Sequence, residues 1–217
     1  MEIFLDTADI DEIRKYASVI DGVTTNPSLV AAQGGRFSFN DLINEIAAEI
    51  PGPISVEAVS HTADEMVEEG RALAGLSPNI VIKLPMTEAG LAATRRLQAE
   101  GIPVNVTLIF SANQAFLAAK AGASYASIFV GRLDDIGHDG MQVVEDAVTV
   151  MKNYDFPTKV LTASIRHPMH VLRALKAGSQ VATIPPNVLA QLYRHPLSDA
   201  GLEKFLADWQ RMQDGGR

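Results

Sequence analysis

Ile80-Val81-Ile82-Lys83-Leu84-Pro85 is the stretch on which the fold turns. It is a continuous β-branched apolar run, too short for a helix and interrupted once, by a lysine. Strands buried on both faces of a parallel sheet read this way, whereas half-exposed strands alternate. Similar runs recur along the whole chain: Ile3–Asp6, Gly22–Thr25, Ile54–Ala58, Val104–Leu108, Tyr125–Val130, Lys159–Thr162 and Gln180–Ile184. With Ile80–Leu84 they make eight strand candidates. Between them, apolar residues fall at helical spacing, as in Leu42, Ile43, Ile46, Ala47 and Ile50, or Met66, Val67, Ala72 and Leu73. Thr62-x-x-Glu65 and Ser111-x-x-Gln114 read as capping boxes a few residues after a strand, and Pro185-Pro186 suits the first turn of the last helix of the series.

Strand and helix in strict alternation imply a parallel sheet. Eight repeats favour its closure into a (β/α)8 barrel over an open doubly wound sheet. Residues 1–195 allow about 24 per repeat, close to the roughly 200-residue lower limit of that fold. Residues 196–217 remain as an extra amphipathic helix, with Leu202, Phe205, Leu206 and Trp209 at helical spacing. Such a stripe must be buried against something: a neighbouring subunit, or the bottom of its own barrel.

Composition narrows the function. The 217 residues are 47% hydrophobic and 20% charged, ordinary for a folded domain. A net charge of −8 lacks the electrostatic footprint of a nucleic-acid binder. The absence of cysteine excludes disulfide frameworks, thiol nucleophiles and cysteine-ligated metal centres, and fits a reducing compartment. The N-terminus, with two acids in its first six residues, does not read as a targeting segment, and no run is long enough to span a bilayer. The expected setting is the cytoplasm, with no membrane partner.

Polar residues gather where the strands end. Asp6 closes the first run; the second leads into Thr24-Thr25-Asn26; the third ends near Glu57; the fourth holds Lys83. The fifth carries Asn105 and Thr107, two apart and so on one face; the sixth holds Ser127, with Arg132 just beyond; the seventh leads to Ser164 and Arg166. In a barrel these carboxyl ends converge on one mouth, where catalytic sites lie. Lys83 is the lone lysine in mid-strand. Its unremarkable reading is a buried stem with a paired ammonium. Its functional reading is an amine that desolvation favours in the neutral form, able to attack a carbonyl and form a Schiff base. A sugar ketone fits, because the iminium is the electron sink that breaking the adjacent carbon–carbon bond requires. Asp6 and Glu57 are then candidate proton carriers, against the plainer roles of helix cap and ion-pair partner of Lys83. Thr107 can hold a catalytic water, and Asn26 and Asn105 can bind substrate hydroxyls. Arg132, Ser164 and Arg166 form a candidate phosphate site. His167-x-x-His170 has no third ligand near it in sequence, so no metal is expected.

Six motifs in order carry a family resemblance: Phe4-Leu5-Asp6-Thr7-Ala8-Asp9, Gly22-Val23-Thr24-Thr25-Asn26-Pro27-Ser28, Ile82-Lys83-Leu84-Pro85, Asn105-Val106-Thr107-Leu108-Ile109-Phe110-Ser111, Gly131-Arg132-Leu133-Asp134-Asp135 and Ala163-Ser164-Ile165-Arg166. Together they resemble the small transaldolases, a family that includes the fructose-6-phosphate aldolases. The resemblance implies a cofactor-free class I mechanism on a (β/α)8 barrel. By position, Lys83 corresponds to the Schiff-base lysine, Asp6 to the acid–base group, and Glu57 with Thr107 to the pair governing the catalytic water. Thr24, Asn26, Asn105, Ser127 and Phe129 would contact substrate, and Arg132, Ser164 and Arg166 would grip its phosphate. The implied reaction moves a dihydroxyacetone unit from sedoheptulose 7-phosphate or fructose 6-phosphate to an aldose phosphate, in the pentose phosphate pathway. The resemblance also implies a ring-based homo-oligomer, often a decamer, with the C-terminal helix docked on a neighbour. The aldolase branch has glutamine at the place of Glu57 and tyrosine at that of Phe129.

Overall fold

The computed structural model describes residues 1–34 and 38–215. All eight expected strands are present: β1 Glu2–Asp6, β2 Gly22–Thr24, β3 Ile54–Glu57, β4 Ile80–Pro85, β5 Val104–Ile109, β6 Tyr125–Phe129, β7 Lys159–Ala163 and β8 Val181–Ile184. Each pairs in parallel with its sequence neighbour, and β8 returns to β1, closing the barrel. The helices in chain order are α1 Ile10–Tyr16, α2 Pro27–Ala31, α3 Phe39–Glu49, α4 Ala63–Ala74, α5 Glu88–Ala99, α6 Ala112–Lys120, α7 Val130–Asp134, α8 Gly140–Asn153, α9 Pro168–Ala177, α10 Pro186–Leu192 and α11 Pro196–Asp214. None among the described residues is long and apolar enough to cross a membrane.

Two apolar clusters hold the barrel. The larger lies between the sheet and the helices and includes fully buried Ile82, Leu84, Val104 and Val106 from the strands, with Ile43, Val67, Leu97 and Val144 from the helices. Burying one such side chain contributes about 1.5–3 kcal/mol. The smaller, Phe4, Val81, Tyr125, Leu161, Ala163 and Val181, fills the barrel itself. Phe4 on β1 and Tyr125 on β6 are not on neighbouring strands, yet their rings meet edge-to-face at 5.8 Å, across the interior. Residues two positions further along these strands share the inward direction, so the polar strand ends stand directly above this plug.

Local chemistry sets the helix starts. Thr62 and Glu65 form the expected reciprocal box at α4. At α6 only half of the box forms: Ser111 Oγ accepts the Gln114 N–H at 3.2 Å, while Gln114 Oε1 reaches one residue too far and accepts from the Phe110 N–H at 2.8 Å. The α1 cap is Asp9, whose Oδ1 accepts the Asp11 and Glu12 N–H groups, so Asp6 is not committed to capping. Along α11, Leu202, Phe205, Leu206 and Trp209 are 61, 71, 55 and 56% exposed. Within one chain this helix therefore does not bury its stripe on its own barrel. The last two residues of the expected 196–217 extension lie outside the described residues.

Candidate active site

The carboxyl ends of the strands surround a cleft of about 350 Å³, lined by Asp6, Thr24, Asn26, Lys83, Ser127, Phe129, Arg132, Ser164 and Arg166, together with Thr183 and Asn187. An adjoining recess is lined by Glu57, Thr107, Lys83, Asn26, Phe129 and Arg132. Asn105 is the one expected site residue that borders neither space. It is fully buried, with its Oδ1 accepting from Ser127 Oγ at 2.7 Å and its amide donating to Ser55 Oγ at 3.1 Å.

Lys83 sits at the centre. Register pairs it with Glu57 on one side and Asn105 on the other, so all three share a face of the sheet. The lysine is 5% exposed, and the aliphatic stem is held in the barrel. Its Nζ lies 3.0 Å from Glu57 Oε2 and donates to the Thr25 carbonyl at 3.1 Å. The ion-pair geometry read for Glu57 is thus present, at the edge of the recess that also contains Thr107. Among the described residues the buried Thr107 Oγ1 has no hydrogen-bond partner, which costs about 1–3 kcal/mol if nothing satisfies it.

Asp6 sits on the β1 side of the lysine. Burial pushes its carboxyl above the ordinary aspartate range, outweighing the opposing pull of the Lys83 charge and of the Thr24 hydroxyl. Thr24 Oγ1 donates to Asp6 Oδ1 at 2.9 Å and lies 2.5 Å from Thr183 Oγ1. Two hydroxyls thus link the carboxyl across the mouth from β2 to β8. Neither Thr183 nor Ser55 was singled out in sequence, since threonine and serine in a strand are ordinary. Their signal was parity: Thr183 follows inward-facing Val181 by two, and Ser55 precedes Glu57 by two.

Backbone irregularities shape the rim. The β5–β6 register shifts between Val106 and Ile109, and Leu108 has φ 60°. The run expected to end at Leu108 therefore continues to Ile109 through a bulge, and the bulge sets the direction of Thr107. Ser164 has φ 58°. Left-handed conformations at residues other than glycine cost about 1–3 kcal/mol and concentrate at functional sites; Leu108 and Ser164 fall on the rim, while a third such residue, Asp155 with φ 50°, lines neither space.

The Arg132 guanidinium stacks 5.1 Å over the Phe129 ring. Arg166 donates to Asp135 Oδ2 at 3.0 Å. The Gly131 N–H donates to the Ser164 carbonyl at 3.1 Å. A side chain at Gly131 would meet that oxygen at 2.2 Å and the Arg166 side chain at 2.6 Å, so only glycine allows α7 to approach the loop after β7 this closely. Asn26 Oδ1 caps α2 by accepting the Leu29 N–H at 3.0 Å, which leaves its amide hydrogens to the cleft. Asp134 joins His167 and His170, a third group brought in from the end of α7 that sequence spacing does not reveal.

The class defined by this architecture is a (β/α)8 barrel with a buried lysine flanked by carboxylates at its carboxyl mouth. An amine so placed can act as a nucleophile toward a carbonyl, with proton carriers on both sides. The chain matches the transaldolase/fructose-6-phosphate aldolase family over residues 3–215. It is 58% identical to a probable transaldolase of Herpetosiphon aurantiacus, over 99% of this chain and 97% of that one. It is 55% identical to a probable transaldolase of Moorella thermoacetica, over 99% and 100%, and 53% identical to probable transaldolase 1 of Listeria monocytogenes, over 97% and 98%. The protein belongs to the transaldolase/fructose-6-phosphate aldolase family.

Proposed function

We propose that this protein is a transaldolase that moves a dihydroxyacetone unit from sedoheptulose 7-phosphate or fructose 6-phosphate to an aldose phosphate acceptor. The observation that carries the reading is the Lys83 amine, buried at the barrel mouth beside Glu57 and within the electrostatic reach of Asp6. Lys83 passes a proton to Glu57, and the neutral amine so formed attacks the C2 carbonyl of the ketose. Loss of water gives the iminium. Glu57 takes and returns the protons of that water, and the unpartnered Thr107 hydroxyl holds it. Asp6 removes the proton of the C4 hydroxyl, the C3–C4 bond breaks, and its electron pair moves into the iminium to give an enamine. The aldose leaves. The acceptor aldehyde enters, the enamine carbon attacks it, and Asp6 returns its proton to the new hydroxyl. Water then releases the product ketose and restores Lys83. An aspartate whose burial raises its pKa suits this double duty, since it must accept and give back a proton near neutral pH.

Arg132, Ser164 and Arg166 bind the phosphate at the open end of the cleft, the position usual for phosphate in barrel enzymes. Thr24, Asn26, Ser127 and Phe129 line the path between phosphate and lysine. Asn105, one layer deeper, acts through Ser127 and Ser55 rather than on substrate directly. The reaction needs no cofactor. The exposed stripe of α11 supports assembly with further copies of the chain in a ring, and the lack of cysteine suits the cytoplasm.

The test is reduction with borohydride in the presence of fructose 6-phosphate, followed by mass mapping. One substrate-derived fragment is expected on Lys83. Label on another lysine, or none, removes the Schiff-base mechanism.

A further inference from the structure

His170 is buried, with 3% of its surface exposed, and borders neither the cleft nor the recess, yet both of its ring nitrogens are engaged. The Arg166 backbone N–H donates to Nδ1 at 3.2 Å, and Nε2 lies 2.7 Å from Asp134 Oδ2. A backbone N–H can only donate, so Nδ1 presents its lone pair and the proton of the neutral ring is on Nε2, directed at the Asp134 carboxylate. Asp134 is fixed in turn, its Oδ1 accepting the Gly140 N–H at 2.9 Å.

We propose that His170 is a positioning residue for phosphate recognition: one buried ring couples the loop of Ser164 and Arg166 to the α7 segment of Arg132, and so sets the spacing of the three phosphate ligands. This rests on the assignment of those three residues to the phosphate. Among the described residues, the other hydrogen bonds between the two segments are the Gly131 N–H to the Ser164 carbonyl and the Arg166–Asp135 pair, whose side chains are both more than half exposed. An exposed pair of this kind contributes little, whereas the ring that joins the other two contacts is itself buried.

The same geometry makes the coupling sensitive to protonation. A second ring proton would go on Nδ1 and face the Arg166 N–H, donor against donor, while the Asp134 contact would survive. The groups facing the ring are Asp134 from α7, His167 at the start of α9 with its ring 3.9 Å away, and Arg173 on α9, itself held by Asp139 and Glu145. Burial, with His167 and Arg173, holds the ring below the ordinary histidine range against the pull of Asp134. The neutral, coupled form therefore prevails at pH 7, and coupling is lost on the acid side.

Three variants test this through the ratio of kcat/KM for fructose 6-phosphate to that for fructose. His170→Leu removes both contacts and should lower the ratio roughly tenfold, the worth of a part-buried N–H left without its acceptor. His170→Asn keeps an acceptor where Nδ1 stands and does not titrate. It should restore the ratio above pH 7 and abolish the rise in KM for fructose 6-phosphate that wild type develops on acidification. The substrate's own phosphate titrates equally with both proteins, so the difference between their profiles belongs to His170. A wild-type ratio in His170→Leu, or identical acid limbs in wild type and His170→Asn, overturns the proposal. Arg166→Ala is the control on the underlying assignment: if it too keeps the wild-type ratio, the phosphate site itself is misassigned.

Discussion

Lys83 Nζ and Glu57 Oε2 lie 3.0 Å apart on adjacent strands in direct register, the lysine almost wholly buried and the glutamate side chain 20% exposed. Each is the other's charge partner within a barrel that is otherwise apolar just below them. Removing Lys83 leaves the Glu57 carboxylate, and Asp6 on the β1 side, without their cation. For a fully buried pair that costs about 3–5 kcal/mol; the partial exposure of Glu57 reduces it here. Lys83→Met should abolish fragment trapping and transfer, and should also lower the urea midpoint. Adding Glu57→Gln to Lys83→Met should recover part of that midpoint. Equal midpoints for the single and double variants would show that the pair does not bear on stability.

Asp6 should make the protein less stable as pH rises. Its folded pKa is raised above the unfolded value, so between the two the folded chain binds the extra proton. Stability therefore falls with rising pH through that window and stays reduced above it. Asp6→Asn removes the ionisation and should be more stable than wild type at pH 7.5, with the gain shrinking toward pH 4, where an unfolded aspartate also begins to protonate. Its transfer rate should drop by ~10²–10⁴, the usual share of a general acid–base group. Denaturation curves at several pH values check the first half. A pH-independent difference between the two proteins would refute the linkage.

Arg132→Ala and Arg166→Ala should each weaken phosphorylated substrates by about 1.5–3 kcal/mol, the contribution of a hydrogen bond to a charged group. Free sugars should lose much less. Steady-state KM values for fructose 6-phosphate and fructose separate the cases; equal losses for both would remove these arginines from phosphate binding.

Most of this architecture was legible because a small parallel barrel imposes a simple pattern. Its strands are apolar on both faces, so a polar residue in one is conspicuous, as Lys83 and Glu57 were. What escaped notice depended on distance or on local backbone. Thr183 lies 159 residues from Thr24, whose hydroxyl it meets, and threonine is at home in any strand. Asp134 reaches His170 across 36 residues, so sequence spacing shows no third group beside His167-x-x-His170. The bulge at Leu108 has no glycine to announce it. Asn105 was legible as inward-facing but not as a brace, because its partners Ser55 and Ser127 come from two other strands.

The stripe on α11 predicts assembly. Leu202, Phe205, Leu206 and Trp209 present large apolar surface that one chain leaves in water, which a stable monomer avoids. Deleting residues 198–217 should give smaller particles in light scattering than the full chain. An unchanged mass would mean that the helix is not the joint between copies.

Phe129 and Glu57 should decide between transfer and simple cleavage. Both line the recess beside Lys83 and Thr107. The Phe129 ring is held edge-to-face against Phe110 and carries Arg132 on its face, so it is fixed but offers no proton. A carboxylate at Glu57 can take and return protons, whereas an amide there can only orient a water. On the proposed mechanism, the absence of a hydroxyl at position 129 should let the enamine persist until an aldehyde acceptor arrives. Fructose 6-phosphate alone should therefore release little free dihydroxyacetone, and turnover should depend on added erythrose 4-phosphate. Phe129→Tyr puts a donor against the enamine and should raise the ratio of cleavage to transfer, further when combined with Glu57→Gln. Coupled assays for dihydroxyacetone and sedoheptulose 7-phosphate measure both rates in one protein. If the unmodified enzyme releases dihydroxyacetone as fast as it transfers it, the chain is an aldolase of this family and not a transaldolase.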